Sequence, residues 1–442
     1  MNPNPLRHQN YTNFLATAKK ASLVLILLVS TLVASADDFG RWFDGRTLRV
    51  DYIRRGNAAG DTIELSRFVE KSTAWSGSRT TLIDPFDNGD YRVSMIDVES
   101  GRTVYTKCYN TLFREYRDTY EAKHQSREFE EVVNLPWPQA KTLIVFEKRD
   151  DRQRFVKQAS FVFSPRETAV EHVQQSAQVR DLLLNGPSER KVDIVIVPEG
   201  YGPNDDRRMR DDLRRFADYI FGHAPFASRH TDFNVRGLLL LGDEEGVSNP
   251  ALGRKVESAL GSTYGVFGSD RYLMTFNLFR LHDLLDAVPF DYIVIMVGAD
   301  KYGGGAIYNF YATVSTDRMA PLILTHELGH SIGGLADEYV DPDLSYNSIH
   351  SSRFEPLEPN ITALIDFGAK WRNLVAAGVP IPTPDNDTLP PTQCGPVGCY
   401  EGAGYQATGI FRPTMHCMMR DYAPYCPVCS QRMNDIFDLY TK

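Results

Sequence analysis

The chain has 442 residues, of which 42% are hydrophobic and 11% aromatic, with a formal net charge of −9. A chain of that length and apolar content can bury large cores in two or three domains, and its composition excludes a disordered polymer. Its acidic balance argues against nucleic acid as a partner, because a phosphate backbone is gripped by clustered Lys and Arg.

Residues 1–36 hold Arg7, Lys19 and Lys20 and no acid, and the apolar run from Ala21 to Ala34 ends in Ala34-Ser35-Ala36. A basic leader, a short apolar stretch and a small-x-small site predict a secretory signal peptide over 1–36, cut before Asp37. The expected location is therefore secreted, periplasmic or cell-surface, with no stable membrane anchor after cleavage. No second apolar segment is long enough to span a bilayer.

Between 37 and 166, short alternating runs such as 47–53 and 142–146 are separated by turn signals, among them Asp87-Asn88-Gly89-Asp90. Period-two alternation with such breaks predicts an all-β sandwich over 37–166. Trp42, Trp75 and Trp137 are assigned to its core rather than to a binding face. Residues 167–188 read as a linker, helical or extended, and a second domain is expected over 189–442. It opens with the apolar run 191–197, the pattern of a strand buried on both faces. An amphipathic helix follows over 205–221, with Met209, Leu213, Phe216 and Ile220 as its apolar spokes. Further strands are expected at 233–241 and 291–297, which together give an α/β layer with a mixed sheet. The acids Asp243, Glu244 and Glu245 read as a solvated loop. Gly303, Gly304 and Gly305 lack the Gly-Lys-Ser/Thr of a phosphate cradle, and read as a turn or a place of close backbone approach. A helix-like piece is expected at 367–377 and a closing helix at 431–439.

The densest chemistry lies at Thr325-His326-Glu327-Leu328-Gly329-His330-Ser331-Ile332-Gly333-Gly334-Leu335-Ala336-Asp337-Glu338-Tyr339. The apolar run 319–324 leads in, so the segment predicts a buried helix starting near Pro321. His326 and His330, four apart, lie on one face and can both present a ring nitrogen to one zinc ion. Glu327, one step round, is placed to take a proton from a water on that metal. A glycine pair lets the chain leave the helix, and Asp337, three residues past Gly334, is a hard oxygen ligand able to complete a three-residue set. The plain alternative is a buried helix whose histidines satisfy backbone carbonyls.

The pattern His-Glu-x-x-His-x-x-x-Gly-x-x-Asp-Glu-Tyr resembles the metzincin clan of zinc peptidases, and within it the igalysin branch, the IgA-peptidase M64 family. The usual metzincin spacing puts the third ligand at Ala336, which cannot bind metal. The one-residue departure is absorbed by a hinge at Gly334 and a ligand at Asp337, with Glu338 the rival. Segments 243–250, 261–265, 400–405 and 412–420 are similar to M64 as well. The resemblance covers 191 to the C-terminus well and the N-terminal region only loosely. It implies an α+β fold: a metzincin-like zinc peptidase domain preceded by the all-β sandwich. That domain has a mixed twisted sheet, backing and active-site helices, and an irregular C-terminal subdomain. It also implies Zn2+ held by His326, His330 and Asp337, and Glu327 as general base for a zinc-activated water. Met419, or else Met418, is the methionine beneath the metal. A peptide substrate would add in extended form to the strand before the helix. The developing oxyanion needs another donor, for which Tyr405 and Tyr422 are the candidates. The implied function is a secreted zinc-dependent endopeptidase acting on a protein or peptide substrate. The alternative from another class is a surface-binding, adhesive protein with a structural or vestigial zinc site, and an intact Glu327 argues against it.

Cys394, Cys399, Cys417, Cys426 and Cys429 crowd the C-terminal end. In an exported chain such crowding favours disulfides that staple a loop-rich region. The other reading is a second, structural zinc on Cys417, Cys426 and Cys429, for which His416 is the local fourth ligand. Cys108 reads as a buried small hydrophobe.

Overall fold

The computed structural model describes residues 39–173, 177–341, 353–385 and 389–442, so the expected signal peptide lies outside the described residues. The first seven strands are β1 (Phe43–Asn57), β2 (Gly60–Ala74), β3 (Tyr91–Asp97), β4 (Thr103–Tyr109), β5 (Arg127–Pro138), β6 (Thr142–Arg149) and β7 (Phe155–Phe163). They form a three-stranded sheet ordered β2-β1-β5 and a four-stranded sheet ordered β4-β3-β6-β7. Every pairing in the two sheets is antiparallel. Alternate residues of β1 explain its place: Leu48, Val50 and Tyr52 are fully buried on one face. Trp75 and Trp137 are buried in this core and Trp42 packs against it.

The next strands are β8 (Gln178–Leu183), β9 (Val192–Glu199), β10 (Phe233–Leu239), β11 (Tyr292–Val297), β12 (Gly304–Ile307) and β13 (Tyr311–Ser315). They build a six-stranded sheet ordered β12-β13-β11-β9-β10-β8. The inner strands β13, β11, β9 and β10 are parallel, and both edge strands run antiparallel to their neighbours. β8 falls inside the segment read from sequence as a linker. It supplies the hydrogen-bonding partner that the outer edge of β10 requires, with Val235 opposite Leu183.

Strand β9 is buried at every position, because both faces of the sheet are covered. On one face, Val192, Ile194 and Ile196 meet α1 (Asp206–Ile220), α3 (Ala320–Ser331) and α4 (Pro427–Thr441). Met209, Leu213, Phe216 and Ile220 of α1 are buried there, the i, i+4, i+7 stripe that its sequence spacing requires. On the other face, Val195 and Val197 join one continuous core with the N-terminal sheets. α2 (Leu278–Leu284) belongs to that side too. The C-terminal part adds the hairpin β14 (Tyr400–Ala403) and β15 (Gln406–Arg412) and a one-turn helix, Met418–Asp421. Residues 367–377 are two separate tight turns, Phe367–Ala369 and Arg372–Leu374. Lys370 breaks them apart with φ −98 and ψ −131, outside helical space. The whole is α+β, and among the described residues no helix is long and apolar enough to cross a membrane.

The N-terminal sheets are tied to α2 by buried charge. Arg49 and Asp51 are fully buried and bidentate, at 2.6 Å for both bonds, and Arg49 Nη1 also donates to Asp283 Oδ1 at 2.7 Å. Arg67 reaches the same two carboxylates at 2.7 and 2.8 Å. Removing one partner of such a set strands the other charge in a medium that cannot solvate it. Asp51→Ala is therefore expected to lower the unfolding free energy by about 3–5 kcal/mol in urea titration. A change within about 0.5 kcal/mol, the range of ordinary surface substitutions, would contradict the assignment.

Candidate metal centre

Pro321 lies in the first turn of α3, where its missing N–H leaves no bond unmade. Ile323, Leu324 and Leu328 anchor the helix in the core. The chain leaves it at Gly334, with φ +59, a backbone state that glycine enters without strain. Gly334 N–H donates to the His330 carbonyl at 3.0 Å and Leu335 N–H to the Gly329 carbonyl at 3.2 Å, closing the helix end. A Cβ at Gly334 would collide with the Asn88 side chain, whose Nδ2 donates to the Gly334 carbonyl at 3.2 Å. A loop of the N-terminal region thus seats the turn.

Both imidazoles are held by their inner nitrogens. His326 Nδ1 is 2.9 Å from the Met418 carbonyl oxygen, and His330 Nδ1 is 2.7 Å from that of Leu335. A carbonyl can only accept, so each Nδ1 carries the hydrogen and each Nε2 presents a lone pair. The two Nε2 atoms are 3.1 Å apart. Asp337 Oδ1, buried without a hydrogen-bond donor among the described residues, lies 3.0 Å from His326 Nε2 and 3.4 Å from His330 Nε2. These three atoms form a group able to hold a metal ion. Burial lowers the proton affinity of His330, yet the Asp337 carboxylate outweighs it and lifts the imidazole to about 9. Burial opposes ionisation of Asp337 as well, and His330 and His326 hold it well below the usual carboxylate range. The Tyr405 hydroxyl donates to Asp337 Oδ2 and leaves Oδ1 facing the rings.

Glu338 turns the other way. Its Oε1 accepts from Asn360 Nδ2 at 2.9 Å and from Cys429 Sγ at 3.2 Å. None of the six cysteines is disulfide-bonded, which corrects the disulfide expectation. Cys417 Sγ and Cys429 Sγ sit 3.7 Å apart, near twice the roughly 2.05 Å of an S–S bond. Nor does His416 join them, since its Nδ1 pairs with Asp421. Two groups able to hold a metal result: His326, His330 and Asp337, and Glu338 with Cys417, Cys426 and Cys429.

Glu327 is half-buried on the wall of a cleft of about 190 Å³ that the two histidines and Asp337 also line. Burial raises its carboxyl above the ordinary value, with the charges of His330 and His326 opposing. Beneath the helix Met419 packs against Gly329: a Cβ there would stand 2.5 Å from Met419 Sδ and 2.9 Å from the Tyr425 hydroxyl. Tyr422 meets the edge of the His326 ring at 5.6 Å between centroids, and its hydroxyl is 2.9 Å from that of Tyr302. Sequence reasoning missed several lining residues, namely Asn88, Glu115, Arg271 and Tyr302. Glu115, pushed up to about 7 by burial against the pull of Tyr272 and Arg114, comes from the N-terminal region. No local pattern marks it, because only the tertiary fold brings it to α3.

One buried and one half-buried imidazole with a buried carboxylate, set in a cleft beside the edge of a mixed sheet, define an α+β protein with a candidate metal centre. The model of the IgA Peptidase M64 family matches residues 181–390 and 389–437, and that of the Peptidase M64 N-terminus matches 38–160. The chain belongs to the IgA peptidase M64 family of metallopeptidases, and its substrate class is protein or peptide. No curated protein matches it.

The packing of Met419 under α3 makes its own prediction. Gly329→Ala should destabilise the protein by about 1–3 kcal/mol, the usual range for overpacking a core. Adding Met419→Ala should recover part of that loss, since it vacates the colliding atom. Melting curves of the two single variants and the double variant measure the coupling, and simple additivity would contradict the contact.

Proposed function

We propose that this chain is an exported, zinc-dependent endopeptidase of metzincin-like architecture that hydrolyses peptide bonds with water. One observation carries the reading: two Nε2 atoms and one carboxylate oxygen converge within 3.4 Å, with Glu327 lining the same cleft, in a member of a peptidase family. Two imidazoles and a carboxylate are a donor set of catalytic zinc, which keeps a further position for water. A bound zinc ion would supply a Lewis acid and bring the pKa of that water from about 15.7 towards roughly 7. Export rests on the leader over 1–36.

The chain's own residues then divide the work. Glu327 takes the proton of the attacking water and passes it to the leaving amine, a role its raised carboxyl pKa suits. The Met418 and Leu335 carbonyls fix the tautomer of each imidazole. Tyr405 orients Asp337, so the oxyanion donor is Tyr422, adjacent to His326 and partnered by Tyr302. Met419 is the floor beneath the histidines. The substrate's main chain pairs with β12 at Ala306. Towards one end of that edge the 271–273 segment bonds to Gly304, and towards the other Asn110 N–H bonds to the Tyr308 carbonyl.

Glu327→Gln should fold, keep its metal and lose several orders of magnitude in kcat/KM on a peptide substrate, as expected for a general base that also positions the nucleophile. Peptide cleavage near the parental rate would sink the assignment. The two tyrosines separate by readout. Tyr405→Phe should weaken metal retention against a chelator by roughly 10–100-fold. Tyr422→Phe should keep the metal and lower kcat by roughly 10²–10³. The opposite pattern would exchange their roles.

A further inference from the structure

Adjacent residues on one turn face different clusters. Asp337 points to the histidines, while Glu338 points into a fully buried group with Cys417, Cys426 and Cys429, whose ligand atoms all lie within 4.8 Å of one another. Glu338 Oε2 is buried with no hydrogen-bond partner among the described residues. An unpartnered carboxylate oxygen in a protein core is costly, and a carboxylate among three sulfurs more so. The sulfurs are presented as metal thiolates usually are. Cys426 is the N-cap of α4 and its sulfur accepts the Cys429 N–H at 3.4 Å, while Cys417 sulfur accepts the Cys426 N–H at 3.4 Å. A helix N-terminus and backbone donors both favour negative sulfur.

We propose that Glu338, Cys417, Cys426 and Cys429 form a second, structural metal site for a zinc-class divalent cation. Four protein donors close the coordination sphere, as in structural rather than catalytic zinc sites, and thiolate donors select a soft or borderline metal. The site joins three pieces of chain that serve the histidine centre. Glu338 follows Asp337 directly. Cys417 precedes the Met418–Met419 segment, whose Met418 carbonyl holds His326 and whose Met419 carbonyl accepts the Glu338 N–H at 2.7 Å. Cys426 and Cys429 fix the start of α4, which runs back along the main sheet. The second cation clamps the floor and the third corner of the first centre.

The site stands independently of the proposed peptidase chemistry, and its test reads metal content. The full chain, purified by gel filtration without chelator, should hold about two zinc ions. Asp337→Ala should keep about one, with X-ray absorption showing three sulfur neighbours at about 2.3 Å. Glu338→Ala should lose or loosen that sulfur-bound ion. Should a variant fail to fold, cobalt exchange into the unmodified chain gives the same answer, because thiolate-to-cobalt charge transfer has no source at a histidine–carboxylate centre. Sulfur-free zinc coordination in the parent chain, or a disulfide among Cys417, Cys426 and Cys429 in unreduced mass spectra, would overturn the site. Loss of only the histidine-bound ion in the parent would count against the catalytic centre and leave the second site intact.

Discussion

Three acceptor atoms, His326 Nε2, His330 Nε2 and Asp337 Oδ1, meet within 3.4 Å in a buried setting, and without positive charge between them they would repel. Much of the surrounding structure serves to enforce that meeting. The helix sets the two rings one turn apart, and two backbone carbonyls turn their lone pairs inward. Gly334 reverses the chain so that Asp337 comes back over the rings, and Tyr405 fixes which carboxylate oxygen faces them. Gly329 leaves room for Met419 beneath. Each element alone is ordinary; together they bring three possible metal ligands to one point.

The N-terminal sheets take part in this arrangement. Their core is continuous with one face of the six-stranded sheet, and the buried Arg49–Asp51–Asp283–Arg67 cluster fastens them to α2. Asn88 caps the turn at Gly334, Asn110 bonds the end of β12, and Glu115 lines the cleft. Changes in the loops of these sheets therefore reach the cleft directly, through hydrogen bonds to the turn and to the sheet edge.

What could be read from sequence follows the range of the interactions. That His326, Glu327 and His330 share one helix was legible from their spacing, and the turn from Gly333 and Gly334, because both depend on neighbours within a few residues. β9 and α1 were legible for the same reason, as an unbroken apolar run and a stripe at Met209, Leu213, Phe216 and Ile220. Contacts made at long range were not. Glu338 and Cys429 are 91 residues apart in sequence, so the cysteines read as disulfides until the fold placed a carboxylate among them. β8 looked like a connector because Gln178–Leu183 has little apolar periodicity, and its place is dictated by the unpaired edge of β10. Tyr405 and Tyr422 were found as residue types, but only geometry distinguishes the one that grips Asp337 from the one beside His326.

The central claim is that one turn of chain sends Asp337 and Glu338 to two different cations. Anomalous diffraction at the zinc absorption edge, from crystals of the full chain, tests it most directly. The expected map has one peak bounded by His326 Nε2, His330 Nε2 and Asp337 Oδ1, and a second among Glu338, Cys417, Cys426 and Cys429. A single peak shared by the histidines and Glu338, with Asp337 turned away, would contradict it.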